Sequence, residues 1–201
     1  MALSSVFSTA KRRGWCSENP IRSIPVPHIR EKSISILSKE ELSRLMHTAE
    51  TFNDGSCLAP LAIMLYAGVR PNEVERLCWG DVRLDNGRIL IAPRHSKTGG
   101  ARHVTIFPPL ARILQRIRRP DAERICPPNW RRLQTLLHHE AGFTAWQPDV
   151  LRHTFATHHL ATFRNYAELQ LEMGHRSAEL LRTRYIAMEG MYHHENSLLV
   201  N

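Results

Sequence analysis

The sequence predicts a mainly α-helical fold of the α+β class with one small antiparallel β-sheet. Three observations support this prediction. After residue 36, apolar residues recur at helical spacing, and prolines and glycines interrupt them. Two short runs, GRILIAP and ARHVTIF, are rich in β-branched residues and flank the turn-prone stretch SKTGG. The hydrophobic fraction of 42% is ordinary for a globular protein, so a packed core is expected.

Local signals place most of the helices. Ser38 and Glu41 form a capping box, which predicts a helix over about 39–50. The segment 56–67 is apolar nearly all round, so it should form a central helix that ends at Gly68. Pro71 suits the first turn of a short helix in PNEVERLCW, and PPLARILQRIRRP returns to helical spacing. Further helices are predicted over 129–141, 149–162, 165–173 and 177–184.

The N-terminal part of the chain has a different character. Residues 2–13 have the spacing of a short amphipathic helix, which must pack on something or fray. Three prolines and no helical period predict a linker or an extended arm over 17–36. We therefore expect a main domain over 37–190 and a C-terminal tail over 191–201.

Charge and composition narrow the class of function. Lys and Arg number 27 against 19 Asp and Glu, which gives a net charge of +8 and favours a polyanionic partner such as nucleic acid. No apolar run reaches the 18 or more residues that a membrane span needs, so no membrane partner is expected. The first residues lack the features of a signal peptide, and a cytoplasmic location is expected.

The cysteines and histidines do not predict a metal centre. Neither a C-x-x-C pair nor an H-E-x-x-H motif occurs, and the histidine doublets cannot converge on one ion from a helix. The four cysteines are expected to be free thiols at Cys16, Cys57, Cys78 and Cys126. We expect neither a metal nor another cofactor.

Four segments contain residues suited to chemistry on an anion. Arg70 follows a glycine at a helix junction, where Glu73 and Asp81 could orient it by hydrogen bonds. Arg152 lies among apolar neighbours in LRHTFATHHL and needs a partner if it is buried. Lys97 lies in the predicted turn between the strands, and MGHRS contains a histidine directly after a glycine. Each of these signals is weak when taken alone.

In this order the segments resemble the catalytic domain of the tyrosine recombinases, also called the phage integrase family. The resemblance covers roughly residues 36–190 and includes AGVRPNEVERLCWGDV, SKTGGARHVTI, LRHTFATHHL and MGHRS, with a tyrosine at the family's usual distance. It implies that family's fold, with a three-stranded antiparallel sheet. Residues 1–16 resemble the last helix of the core-binding domain that precedes the catalytic domain in this family, followed by the linker over 17–36.

The resemblance implies DNA strand cleavage and rejoining in site-specific recombination or DNA integration. Tyr185 would attack a phosphodiester and form a 3′-phosphotyrosyl bond. Arg70 and Arg152 would bind the non-bridging oxygens, and His175 would donate a further hydrogen bond there. Lys97 would protonate the departing 5′-oxygen, and no metal or cofactor would be needed.

Two positions near Arg152 need separate interpretation. The family's common motif is H-x-x-R, but this chain has Asp149 in place of that histidine. Asp149 could accept a proton from the tyrosine, form a salt bridge with Arg152, or cap the helix that follows. His153 follows the arginine, and the resemblance implies a structural role for it, as a residue that supports the site.

The sequence also allows two other functions and indicates two kinds of partner. The departure at Asp149 allows a non-catalytic DNA-binding module derived from a recombinase, and a type IB topoisomerase shares the same chemistry. Double-stranded DNA is the expected partner, together with self-association through the tail, whose apolar residues could instead pack in cis. Basic side chains that could contact the DNA backbone are Arg112, Arg116, Arg131 and Arg132.

Overall fold

The computed structural model describes residues 2–24, 35–94, 100–174 and 198–200. The chain forms two compact units, residues 1–33 and 34–201. The predicted helix over 177–184 lies outside the described residues. The fold class predicted from the sequence is confirmed, because the described residues are mostly helical and include a small three-stranded antiparallel sheet.

The first unit contains helix α1, Ala2–Arg12, and a 3₁₀ turn at Pro20–Ser23. Asn19 connects the two elements, because its Nδ2 donates to the carbonyl of Ser4 at 2.9 Å and its Oδ1 accepts from the backbone N–H of Ile21 at 3.1 Å. The apolar residue Leu3 on α1 stays exposed.

The helices of the second unit agree with the predictions to within about two residues, except that the helix in PPLARILQRIRRP ends early, at Arg116, and that one other helix is much shorter. The predicted capping box at the start of the second unit is present. Ser38 Oγ accepts from the backbone N–H of Glu41, and the Glu41 carboxylate accepts from the backbone N–H of Ser38. The helices are α2 Lys39–Thr51, α3 Leu58–Ala67, α4 Pro71–Val74, α5 Pro108–Arg116, α6 Trp130–Glu140, α7 Val150–Phe163 and α8 Tyr166–Met173.

Helix α4 is much shorter than the sequence predicts. After Val74 the chain pairs with a distant segment rather than continuing as a helix. Trp79 donates its backbone N–H to the carbonyl of Glu123 at 2.9 Å, and Ile125 donates to the carbonyl of Leu77 at 3.0 Å. This non-local pairing satisfies the backbone hydrogen-bonding groups in the second half of PNEVERLCW, which was predicted to be helical.

The sheet consists of β1 Val82–Arg83, β2 Arg88–Ile91 and β3 Arg102–Thr105 in the order β1-β2-β3. In β2 and β3, Ile89 pairs with Val104 and Ile91 pairs with Arg102. Ile89, Ile91 and Val104 are buried, so one face of the sheet packs on the helical core.

Helix α3 is the centre of the core, as predicted, because nearly all of its side chains are buried. Gly68 ends it in the left-handed conformation, with φ of 60°. A second apolar cluster joins α7 and α8 to the C-terminal Leu199, and it includes Phe155, Leu169 and Met173. None of the helices in the described ranges is long and apolar enough to cross a membrane.

Candidate active site

Arg70 lies at the junction between α3 and α4, as the N-cap residue of α4. Its backbone N–H donates to Glu73 Oε2 at 3.2 Å, and its guanidinium Nη1 donates to Glu73 Oε1 at 3.1 Å. The sequence LYAGVRP creates this arrangement, because Gly68 ends α3 and Pro71 begins α4 with the required φ. Arg70 is thereby held by the carboxylate three residues later, as the sequence predicts.

Glu73 is buried, with 2% of its side chain exposed, and it binds two arginines. Besides Arg70, the guanidinium of Arg102 donates from Nη1 to Oε1 at 3.0 Å and from Nη2 to Oε2 at 2.6 Å. Burial would raise the pKa of the Glu73 carboxyl, but the hydrogen bonds and charges of Arg102 and Arg70 outweigh it and lower that pKa. The carboxylate therefore stays ionised at neutral pH.

Arg152 is on the first turn of α7 and only 3% exposed. Its Nη1 donates to the carbonyl oxygen of Gly68, and its Nη2 donates to that of Met173 at 2.6 Å. The buried guanidinium thus has the partners that its apolar neighbours require. It connects the end of α3 with the end of α8.

Both arginines contact the same helix end. Arg70 Nη2 donates to the carbonyl of Gly174 at 3.2 Å, directly beyond the Met173 carbonyl that Arg152 binds. The last carbonyls of a helix lack helical partners and lie at its negative end, so two guanidiniums stabilise them. The Arg70 guanidinium has five N–H donors, so its bonds to Glu73 and Gly174 leave further donors for an anion such as a phosphate.

Three predicted site residues, Lys97, His175 and Tyr185, lie outside the described residues. Lys97 belongs to the segment between β2 and β3. His175 is the residue after Gly174, whose carbonyl Arg70 binds.

Asp149 precedes α7 as predicted, but its side chain does not cap the helix. Its backbone is left-handed, with φ of 60° and ψ of 12°, and no cap hydrogen bond forms. A side chain normally caps from the extended region, which explains why the cap prediction is wrong. Among the residues that the structure describes, Asp149 is exposed and makes no ion pair with Arg152.

The two other supporting residues have different surroundings. Asp81 does not orient Arg70, contrary to the prediction, because its Oδ2 accepts from the backbone N–H of Cys78 at 2.9 Å and closes a local turn. His153 is half-buried on α7, and its carbonyl accepts from Thr157 Oγ1 at 3.0 Å. The structural role of His153 stays a prediction.

The predicted DNA-contacting arginines are exposed, and two of them already have acidic partners. Arg116 Nη2 lies 2.6 Å from a Glu50 oxygen, and Arg131 donates two hydrogen bonds to Glu75. A phosphate would compete with these carboxylates. Within the described ranges Arg112 and Arg132 form no ion pair, which leaves them more available.

Two further residues, Arg102 and Glu172, belong to the site but were not predicted from the sequence. A sequence signal for Arg102 existed. In ARHVT it lies two residues before the buried Val104, so both side chains point to the inward face of β3, where an arginine requires a partner. Glu172 accepts from the backbone N–H of Thr105 at 2.8 Å and forms an ion pair with Arg88 at 3.7 Å. These contacts attach β2 and β3 to α8.

Comparison with known proteins identifies the class of protein. The model of the phage integrase family matches residues 35–190. The chain belongs to this family, and the resemblance predicted from the sequence is confirmed.

A curated relative, tyrosine recombinase XerA of Saccharolobus solfataricus, is 27% identical over 159 residues, which cover 76% of this chain and 52% of the relative. The chain spans about half the length of the curated relatives it matches.

Solved structures show the same fold. The catalytic domain of bacteriophage HP1 integrase has a TM-score of 0.65 and 21% identity, with 80% of this chain and 91% of that chain covered. The Tn1549 transposon integrase, in complex with a circular intermediate DNA, has a TM-score of 0.66 and 18% identity, with 90% and 71% covered. At these identities the likeness concerns the fold of the domain.

Proposed function

We propose that this chain cleaves and rejoins strands of double-stranded DNA in site-specific recombination or DNA integration. The observation that carries the proposal is the position of Arg70 and Arg152. Their guanidiniums contact consecutive carbonyls at the helix end that directly precedes His175. Membership of the phage integrase family supports the proposal. A relative named as a tyrosine recombinase and a fold neighbour solved with DNA support it too.

The proposed reaction is a transesterification at phosphorus. The Tyr185 oxygen forms a bond to the phosphorus, and the bond from phosphorus to the 5′-oxygen breaks, which leaves a 3′-phosphotyrosyl link. Arg70, Arg152 and His175 stabilise the charge on the non-bridging oxygens, and Lys97 gives its proton to the 5′-oxygen. Rejoining reverses these steps, so no ATP is required.

Of the three roles predicted for Asp149, only that of proton acceptor remains. The cap and the ion pair with Arg152 are absent from the contacts of the described residues, so we propose that the carboxylate accepts the proton of Tyr185. A carboxylate is a weaker base than a histidine at neutral pH, which makes this exchange costly in rate.

The test uses a suicide DNA substrate that is nicked beside the cleavage site, so that the covalent adduct accumulates. Target sequences are sought in the DNA that flanks the gene. The wild-type chain should form a protein–DNA adduct that resists denaturant, and Tyr185→Phe should abolish it. Tyr192→Phe is the matched control and should leave the adduct intact. An adduct that survives Tyr185→Phe would contradict the proposed nucleophile.

Two observations favour a second candidate, a non-catalytic DNA-binding module. Asp149 replaces the usual histidine, and two of the candidate phosphate contacts, Arg116 and Arg131, are paired with carboxylates. Salt-sensitive DNA binding with no adduct on any substrate would support this candidate. Relaxation of supercoiled plasmid of arbitrary sequence would instead indicate a type IB topoisomerase.

Further parts of the proposal concern the wider protein. Residues 1–16 are assigned to the end of a core-binding domain, 17–36 to a linker, 37–190 to the catalytic domain and 191–201 to a tail. The tail would mediate self-association on DNA by exchanging its cis contacts, which bury Leu199, for those of a neighbouring copy. We also propose a cytoplasmic location, as the sequence analysis expects.

A further inference from the structure

We infer that Arg102 is a positioning residue for DNA cleavage, which holds the Arg70 guanidinium in place through Glu73 and the end of α8. This inference rests on the proposed function, in which Arg70 binds the reacting phosphate. Arg102 binds Glu73, which lies between it and Arg70, and we do not propose that Arg102 contacts DNA.

The first contact is the carboxylate of Glu73, which lies between the two arginines. Arg102 donates to both of its oxygens, at 3.0 and 2.6 Å, and Arg70 donates to the same oxygens from its side chain and its backbone. The Glu73 side chain is 2% exposed and that of Arg102 is 10% exposed, so little water screens the pair. A bidentate pair fixes the plane of the carboxylate, which in turn fixes the direction from which Arg70 can bind it.

The second contact is the end of α8. Arg102 Nε donates to the carbonyl of Glu172 at 3.1 Å. Its side chain also lies against Gly174, because a Cβ built at Gly174 would approach Arg102 Cδ to 3.0 Å and Cζ to 3.2 Å. Gly174 provides the other acceptor of the Arg70 guanidinium. Arg102 therefore contacts both groups that hold Arg70. It binds the Glu73 carboxylate and packs on Gly174, whose carbonyl accepts from Arg70.

These two contacts predict the effect of removing the guanidinium. Without Arg102, the buried Glu73 carboxylate keeps only Arg70 and loses the interactions that oppose its desolvation. Arg70 would then be drawn towards Glu73 to satisfy that charge. Misplacement of a clamping group by about 1 Å can cost about 100-fold in rate, even when the substrate still binds.

The experiment compares Arg102→Gln with Arg83→Gln, an exposed arginine of β1 at the opposite edge of the same sheet. Single-turnover adduct formation on the suicide substrate is measured at saturating DNA, alongside DNA affinity and thermal unfolding. Arg102→Gln should slow cleavage roughly 10- to 100-fold with little loss of DNA affinity. Arg83→Gln should match the wild type. Arg102→Lys should recover only part of the rate, because one ammonium cannot bridge both carboxylate oxygens.

A double-mutant cycle with Glu73→Gln tests the route of the effect. If Arg102 acts through Glu73, the rate losses of the two variants combine to less than their product. A wild-type cleavage rate in Arg102→Gln overturns the inference. The inference is also overturned if the slower cleavage of Arg102→Gln is fully explained by weaker DNA binding or by a smaller fraction of folded protein.

Failure of the proposed function is a separate outcome, seen when the wild-type chain forms no adduct. The inference is then decided by a crystal structure of Arg102→Gln. Displacement of Arg70 Nη2 from the Gly174 carbonyl supports the positioning role, and an unchanged Arg70 overturns it.

Discussion

At Gly68, backbone conformation and packing together exclude a side chain. Its φ is 60°, and a Cβ added there would overlap the ring of Phe155 from α7. This close approach brings the Gly68 carbonyl to the guanidinium of Arg152. Gly68, the glycine that ends α3, is therefore also part of the candidate site.

The first prediction concerns Gly68→Ala, which should lower the free energy of unfolding by at least about 2 kcal/mol through left-handed strain and overpacking. Gly87→Ala is the matched control, because Gly87 has φ of 65° but nothing within 4 Å of an added Cβ. The control should lose about 1–2 kcal/mol, from strain alone. Denaturant unfolding measures both losses, and equal losses would contradict the packing argument.

A second prediction at this scale concerns Asp149. Asp149→His restores the family's usual residue and should speed single-turnover cleavage, roughly 10-fold or more, if proton transfer from Tyr185 limits the reaction. Asp149→Asn removes the acceptor and should slow cleavage below the wild-type rate. A pH–rate profile distinguishes the base from a steric effect, because Asp149→His should shift the rising limb towards the pKa of an imidazole. Identical rates in all three proteins would show that position 149 takes no part.

Within α7, the buried histidine His159 is surrounded by aromatic rings. Its ring centroid lies 4.8 Å from that of Phe163, 5.6 Å from that of Phe155 and 6.1 Å from that of Phe107. Neither ring nitrogen has a hydrogen-bond partner among the described residues. Desolvation lowers the pKa of His159 to about 4, so the ring is neutral at physiological pH.

The third prediction follows from this depressed pKa. Between about pH 6.5 and 4 the unfolded chain binds a proton at His159 that the folded chain does not, so stability falls as the pH decreases through this window. His159→Leu should retain or increase stability at pH 7.5 and weaken this pH dependence. Unfolding midpoints at pH 7.5 and 5 measure the effect. Burial also lowers the pKa of His138 and of His158 to about 4, and these two histidines should provide the dependence that remains.

Most elements were predictable because their signals are local, as with the capping box at Ser38 or Gly68 after α3. The shortness of α4 was not, because its cause is a pairing with residues 121–125, more than 40 positions away. The same holds for Arg102, which meets Glu73 across 29 residues. Sequence patterns predict which residues must find a partner but not which partner they find.

For the whole molecule, the C-terminal residues contribute to the core. Leu199 is 1% exposed and packs in the cluster formed by α7 and α8, whereas its neighbour Val200 is 50% exposed. The tail was predicted to pack either in cis or on another copy, and within the described residues Leu199 packs in cis.

The fourth prediction is that Leu199→Ala lowers the free energy of unfolding by about 2–4 kcal/mol through the lost side chain and the cavity left behind. Val200→Ala, at the next position, should change it by less than about 0.5 kcal/mol. Chemical denaturation at low protein concentration isolates the contribution made within one chain. Equal effects of the two variants would show that the buried position of Leu199 contributes little.

The bonds that Arg70 and Arg152 make to Gly68, Met173 and Gly174 have a consequence for divergence within the family. Both arginines make contacts within the domain that do not depend on a bound phosphate. A descendant that lost strand cleavage would remain under selection to retain them for folding. The proposed mechanism assigns Tyr185 to the chemical step, and we expect a lineage that no longer cleaves DNA to retain Arg70 and Arg152 for their structural contacts.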